Sequence, residues 1–175
     1  IFTHMASSKL SYGLIMLLIG WILGTWITPS PKMDNQMSQM NEEIKQMKEL
    51  VMINLLDQPM ASERLQAMNM ITTSSNYDDQ IVKSLLHTLN HDSDVNVRMA
   101  AVDALLVFAN QSPVREGLKT AVRNQESPLV QLTLVDGFIA IHDESAVPIL
   151  ENLIANNKVH KAVKDRSREG INKLI

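Results

Sequence analysis

The chain contains no cysteine at all, which excludes disulfides, thiolate zinc sites, cysteine nucleophiles and thiol redox chemistry. Aromatic residues are scarce at 4%, a poor supply for β-sheets, which draw on aromatic and β-branched side chains. With six glycines there is no phosphate-cradling glycine loop, and neither HExxH nor GxSxG occurs. A net charge of -3 creates no global field to attract nucleic acid, so no nucleic-acid partner is expected. What the chain does have is Leu, Ile, Val, Ala and Met within a 45% hydrophobic composition over 175 residues. That is enough for one globular unit plus an appendage, and it predicts an all-α fold.

From Leu10 to Ile27 no charge interrupts LSYGLIMLLIGWILGTWI. At about 1.5 Å per residue this run spans roughly 27 Å, close to a hydrocarbon core, and it predicts a transmembrane helix over 10–28 after a short flank, 1–9. Tyr12, Trp21 and Trp26 mark its ends, and Pro29 with Pro31 stops it. A cleaved signal peptide fits less well, because the apolar run is long and TWITPSP offers no small-x-small cleavage site. Gly20 and Gly24 form a GxxxG pair that would let two such helices approach, although the motif alone is a weak predictor. Lys9 on one side and Lys32, Lys45 and Lys48 on the other leave orientation undecided by charge. The short flank before a long C-terminal domain predicts a single-pass protein of the bacterial inner membrane with its C-terminal part outside the cytoplasm.

Residues 29–58 read as a proline break and a stalk helix. Met33, Met37, Met40, Ile44, Met47 and Val51 alternate by four and three, the spacing of a coiled-coil seam. With Met37, Ile44 and Val51 at a, Glu43 falls at g and Lys48 at e, the separation of an interhelical ion pair in a parallel dimer. The seam is short and rich in pliable methionine, and Leu50, Ile53, Leu55 and Leu56 widen the apolar face. Two outcomes stand side by side: homodimerisation through the stalk, or folding back onto the domain at 59–175.

In that domain four segments align: ERLQAMNMI from Glu63, VRMAAVDAL from Val97, VQLTLVDGF from Val130 and VKDRSREGI from Val163, at spacings of 34, 33 and 33 residues. Each carries small or apolar residues at helical spacing, and each reads as the first helix of a pair. Looser apolar helices begin at Ile81, Val114 and Val147. Ser112-Pro113 and Ser127-Pro128 each predict a serine N-cap with proline at the first helical position. DSDVNVRMAAVDALL from Asp92 resembles a HEAT repeat, with that family's Asp, Val-Arg, Ala and Ala-Leu pattern, and the resemblance extends over Ala61–Ile175. Gln131 and Lys164 replace the arginine in later copies, and Gly137 and Gly170 replace the alanine. The resemblance implies an α-solenoid of about three and a half repeats whose stacked helices bind another protein.

Little else points to chemistry, and no cofactor, metal or catalytic residue is expected. His87 and His91 offer only two potential ligands, while Asp92, Asp94, Asp143 and Glu144 fall where carboxylates cap helices. Lys83, Arg115, Lys119 and Arg123 are candidates for a basic stripe facing an acidic protein partner, set against an ordinary solvated face. The basic residues of the last helix are explained by the polar outer face a terminal repeat needs. The combined expectation is a non-enzymatic, membrane-anchored adaptor or scaffold that binds membrane or envelope proteins. Two alternatives share the layout. One resembles transmembrane anti-sigma regulators and requires native residues before Ile1; the other, through HEAT-like stacks similar to bilin lyases, implies an accessory subunit of a lyase-like enzyme.

Overall fold

The computed structural model describes residues 13, 15–22, 31–73 and 79–175, with the backbone alone at 31–34. The chain divides into two compact units, Ile1–Gln46 and Met47–Ile175. The described elements are helices α1 (Pro31–Leu56), α2 (Ala61–Thr72), α3 (Asp79–His91), α4 (Val95–Leu106), α5 (Ser112–Asn124) and α6 (Pro128–Ala140). A 3-10 turn (Glu144–Ala146), α7 (Val147–Ala155) and α8 (Lys161–Leu174) complete them. The boundary between the units lies within α1, whose Met52 and Leu56 belong to the core of the second unit.

The transmembrane expectation is corrected. Among the described residues no helix is long and apolar enough to cross a membrane. Of the run at 10–28, residues 13 and 15–22 are described, and these are helical. Trp26 and Gly24 lie outside the described residues, and a Cβ at Gly20 would meet no neighbour within 4 Å. Placement in the inner membrane, with the C-terminal part outside the cytoplasm, loses its basis with the span.

The second unit is an α-solenoid-like pair of helix layers. Helices α2, α4, α6 and α8 pack side by side in one row, α3, α5 and α7 in the other, and the rows meet mainly where the second helix of one repeat packs on the first helix of the next. The reason lies in the aligned segments. Val97, Val130 and Val163 occupy equivalent positions, and all are fully buried. Four residues on, Ala67, Ala101, Leu134 and Ser167 are equivalent and at most 1% exposed. Such stripes leave water only by facing the next helix in the row, which is what drives the stacking.

The glycines that replace alanine sit at close approaches between neighbouring helices of the first row. A Cβ at Gly137 would stand 3.0 Å from Leu106 Cδ2, and one at Gly170 would stand 3.1 Å from Ile139 Cδ1. Leu106 and Ile139 are themselves equivalent, so the same knob fills the same notch one repeat later.

The arginine of the aligned segments also has a structural task. Arg64 Nη1 donates to Gln58 O at 2.8 Å and Arg98 Nη1 to Asp92 O at 2.5 Å, each reaching the carbonyl six residues back in the loop before its own helix. Gln131, which replaces the arginine, makes the same reach through Nε2 to Gln125 O at 3.0 Å. Arg64 further grips Asp92 of the next repeat through Nε–Oδ2 at 2.7 Å and Nη2–Oδ1 at 3.0 Å, with both side chains nearly buried. A two-pronged pair fixes orientation as well as distance.

The expected caps hold only in part. Asp94 accepts from Asn96 N and Val97 N and starts α4, and Asp143 Oδ1 accepts from Ser145 N. Ser112, by contrast, is the first residue of α5 and not its N-cap, because Gln111 O already accepts from Val114 N and Arg115 N. Ser127 does occupy the N-cap of α6, but its hydroxyl makes no capping bond.

Helix α8 carries an exposed charge network: Glu169 with Arg166 and Lys173, Asp165 with Lys161 and Arg168, and Arg166 with Asp136 of α6. Hydrogen bonds from Lys173, then Arg166, hold the Glu169 carboxyl down to about 2, and Lys161 lowers Asp165. A depressed carboxyl stabilises the fold above its ordinary pKa near 4.5 and loses that contribution as pH falls through about 2. At low salt, the melting temperature is therefore expected to fall between these pH values, and Glu169→Gln should flatten part of that fall; an unchanged profile would refute the network's role.

Ser167 Oγ is buried without a hydrogen-bond partner, at the position where other segments place Ala67, Ala101 and Leu134. An unpaired buried hydroxyl is unfavourable, so Ser167→Ala is expected to stabilise the chain by about 1 kcal/mol in urea unfolding. A loss of stability would show that the hydroxyl finds a partner.

Candidate functional site

The four basic candidates do not form one free stripe. Arg115 is half-buried and its Nη1 donates to Ala109 O at 2.5 Å, in the manner of Arg64 and Arg98. Lys119 bonds Glu116 at 2.6 Å and Ser145 Oγ at 3.0 Å. Ser145 Oγ in turn donates to Asp143 Oδ1 at 2.5 Å, so this chain of bonds ties α5 to the turn that follows His142, a residue with φ of 52°. Lys83 and Arg123 are exposed. The seam residues Met37, Met40, Ile44, Met47 and Val51 are exposed as well, while Met33 lies outside the described side chains. His87 and His91 are neighbours with ring centroids 4.6 Å apart, and among the described residues no group of three His, Cys, Asp or Glu could hold a metal ion.

A better-formed feature lies on the edge where each repeat hands over to the next. A cleft of about 480 Å³ opens between the end of α5, the start of α6, α7 and the loop before α8. Its floor is apolar, from Ile149, Leu153 and Val159, and its rim carries Arg123, Glu126, Asn152, Asn156, Lys158 and His160. A second cleft of about 290 Å³ adjoins it and shares Gln125 and Glu126, with Asn90, Arg98 and Asn124 as its other walls. Together they straddle the α5–α6 loop and run from the end of α3 to the loop before α8.

Local folding fixes that edge. Gln125 is buried and its Nε2 donates to Leu89 O at 2.7 Å, tying the α5–α6 loop to the end of α3. Gln131 then holds Gln125 O from within α6, so the strip between the two clefts is pinned from both sides. Asn156 Oδ1 accepts from Lys158 N, and His160 Nδ1 accepts from Ala162 N to start α8. Arg98 hangs from Asp92 O by Nη1 while its Nε is buried without a partner.

This edge presents amides and charged groups together. Side-chain amides from Asn90, Asn124, Asn152 and Asn156 carry the same donor and acceptor set as a peptide unit. Two exposed cations, Arg123 and Lys158, share the rim with a single carboxylate, Glu126, while Arg98 is held on Asp92 O. Of these residues only Arg123 stood out in the sequence, and Lys158 read as part of a solvated cap. Asparagines at the ends of the second helices, Asn90, Asn124 and Asn156, were the signal available.

Compared with family models, curated proteins and solved structures, the chain matches none. The class of protein is therefore given by architecture alone: an all-helical, α-solenoid-like repeat stack.

Proposed function

We propose that this chain is a non-enzymatic adaptor whose HEAT-like repeats bind a protein partner. The observation that carries the reading is the pair of adjoining clefts along the inter-repeat edge of a rigidly stacked domain, rimmed by amides and cations. Stacked repeats keep such an edge in fixed register without any partner, so little ordering is needed on binding. The test is capture of the tagged full chain from its native cells after gentle cross-linking, read by mass spectrometry. A stoichiometric protein partner cross-linked to Met47–Ile175, and lost when residues 61–175 are deleted, is the expected result. Recovery of the chain alone, or a partner unaffected by the deletion, would refute the reading.

A separate observation favours self-association through α1. Met37, Met40, Ile44, Met47 and Val51 lie at a and d spacing and are between 45% and 65% exposed. Ile44 and Val51 at a are β-branched, the choice that favours two-stranded pairing. Because the chain has no cysteine, Ile44→Cys provides a clean probe. In a parallel pair this position meets its own copy within disulfide reach, whereas Glu42→Cys lies outside the seam. In nonionic detergent, which covers the exposed apolar side chains of residues 15–22, selective oxidation of Ile44→Cys to a covalent dimer is expected. Equal or absent cross-linking of both variants would rule out the parallel seam.

A further inference from the structure

We infer that the edge cleft takes an extended, acidic segment of polypeptide laid from the end of α3 across the α5–α6 loop to the α7–α8 loop; the inference rests on the adaptor reading and names its ligand. Three observations converge. The clefts adjoin through Gln125 and Glu126, so one strand can run through both without crossing a helix. Their rim sets the exposed Arg123 and Lys158 against Glu126 alone, with Arg98 behind them held on Asp92 O, a balance that attracts carboxylates and repels cationic segments. Asn124 and Asn152 are exposed on either side of that path, and an amide satisfies a peptide N–H and C=O whatever the side chain.

The dimensions agree with an extended chain. Neighbouring helices in a row lie about 10 Å apart, so three successive loops span roughly 20 Å, which six or seven extended residues cover at about 3.3 Å each. The apolar floor of Ile149, Leu153 and Val159 gives one side chain of that strand a place to bury, which sets register. Glu126 stands where both clefts meet and weakens acidic ligands, so its removal acts opposite to the loss of the cations.

The experiment is fluorescence anisotropy on the full chain with three labelled twelve-residue peptides. One repeats Glu-Ser-Gly, one replaces Glu with Gln and one replaces Glu with Lys; a single-stranded uridine oligonucleotide is the fourth probe. The acidic peptide is expected to bind tightest and to weaken with salt. Arg123→Glu combined with Lys158→Glu should weaken it roughly 10-fold or more, and Glu126→Gln should strengthen it about threefold. Asn124→Ala with Asn152→Ala should weaken the acidic and Gln peptides by the same factor, since the amides engage main chain.

Equal binding of all three peptides, preference for the Lys peptide, or indifference to the charge variants would overturn the assignment. Oligonucleotide binding as tight as the acidic peptide would overturn it too, by showing a general polyanion site. If the peptides fail while a captured partner still cross-links to Met47–Ile175, the adaptor reading survives and this ligand falls. If neither binds, both fall.

Discussion

Each helix of the α2, α4, α6, α8 row carries a stripe of small or apolar residues that can leave water only against its neighbour, and the rest of the fold depends on that constraint. Val97, Val130 and Val163 are fully buried because the adjacent repeat covers them, not because their own helix pair closes a core. The close approach limits what stands opposite: a Cβ at Gly137 or Gly170 would make Leu106 or Ile139 give way by a few tenths of an ångström. The spacings of 34, 33 and 33 residues bring equivalent stripes to face one another, the loops absorbing the one-residue difference.

Polar groups then lock what the stripes bring together. Loops between repeats expose main-chain carbonyls beside the stacked helices, and such groups need donors. Arg64 and Arg98 supply them by reaching six residues back, and Gln131 does the same with a shorter side chain. The replacement of arginine by glutamine preserves the bond that matters to the loop. Gln125 adds a buried bond to Leu89 O, and the outcome is an edge whose loops are held without any partner. That rigidity is what makes the edge suited to recognition, since a strand laid there orders little but itself.

The extent to which this was legible differs by level. The repeat period, the paired helices and the buried positions were readable, because helical spacing of apolar residues reports directly on which side faces a neighbour. Cap positions were less so: Ser112 looked like an N-cap beside Pro113, yet the carbonyl of Gln111 begins the helix. The basic stripe was misleading because sequence spacing does not say whether a cation is committed, and Arg115 and Lys119 bond the protein itself. The apolar run at 10–28 showed composition, whereas crossing a membrane requires a continuous helix of sufficient length, and none is found among the described residues.

By itself, then, the amino-acid sequence determined the helical class, the order of first and second helices and the residues that must be buried, all of which follow from local periodicity and from the absence of cysteine and scarcity of aromatics. Only the tertiary structure decided the edge site. Arg98, Arg123, Asn152 and Lys158 belong to four different elements, and their convergence depends on how far one helix row is displaced along the next. Within the first row the helices interlock at Gly137 and Gly170, and Gln125 ties the α5–α6 loop to α3, distances that no spacing in the chain encodes.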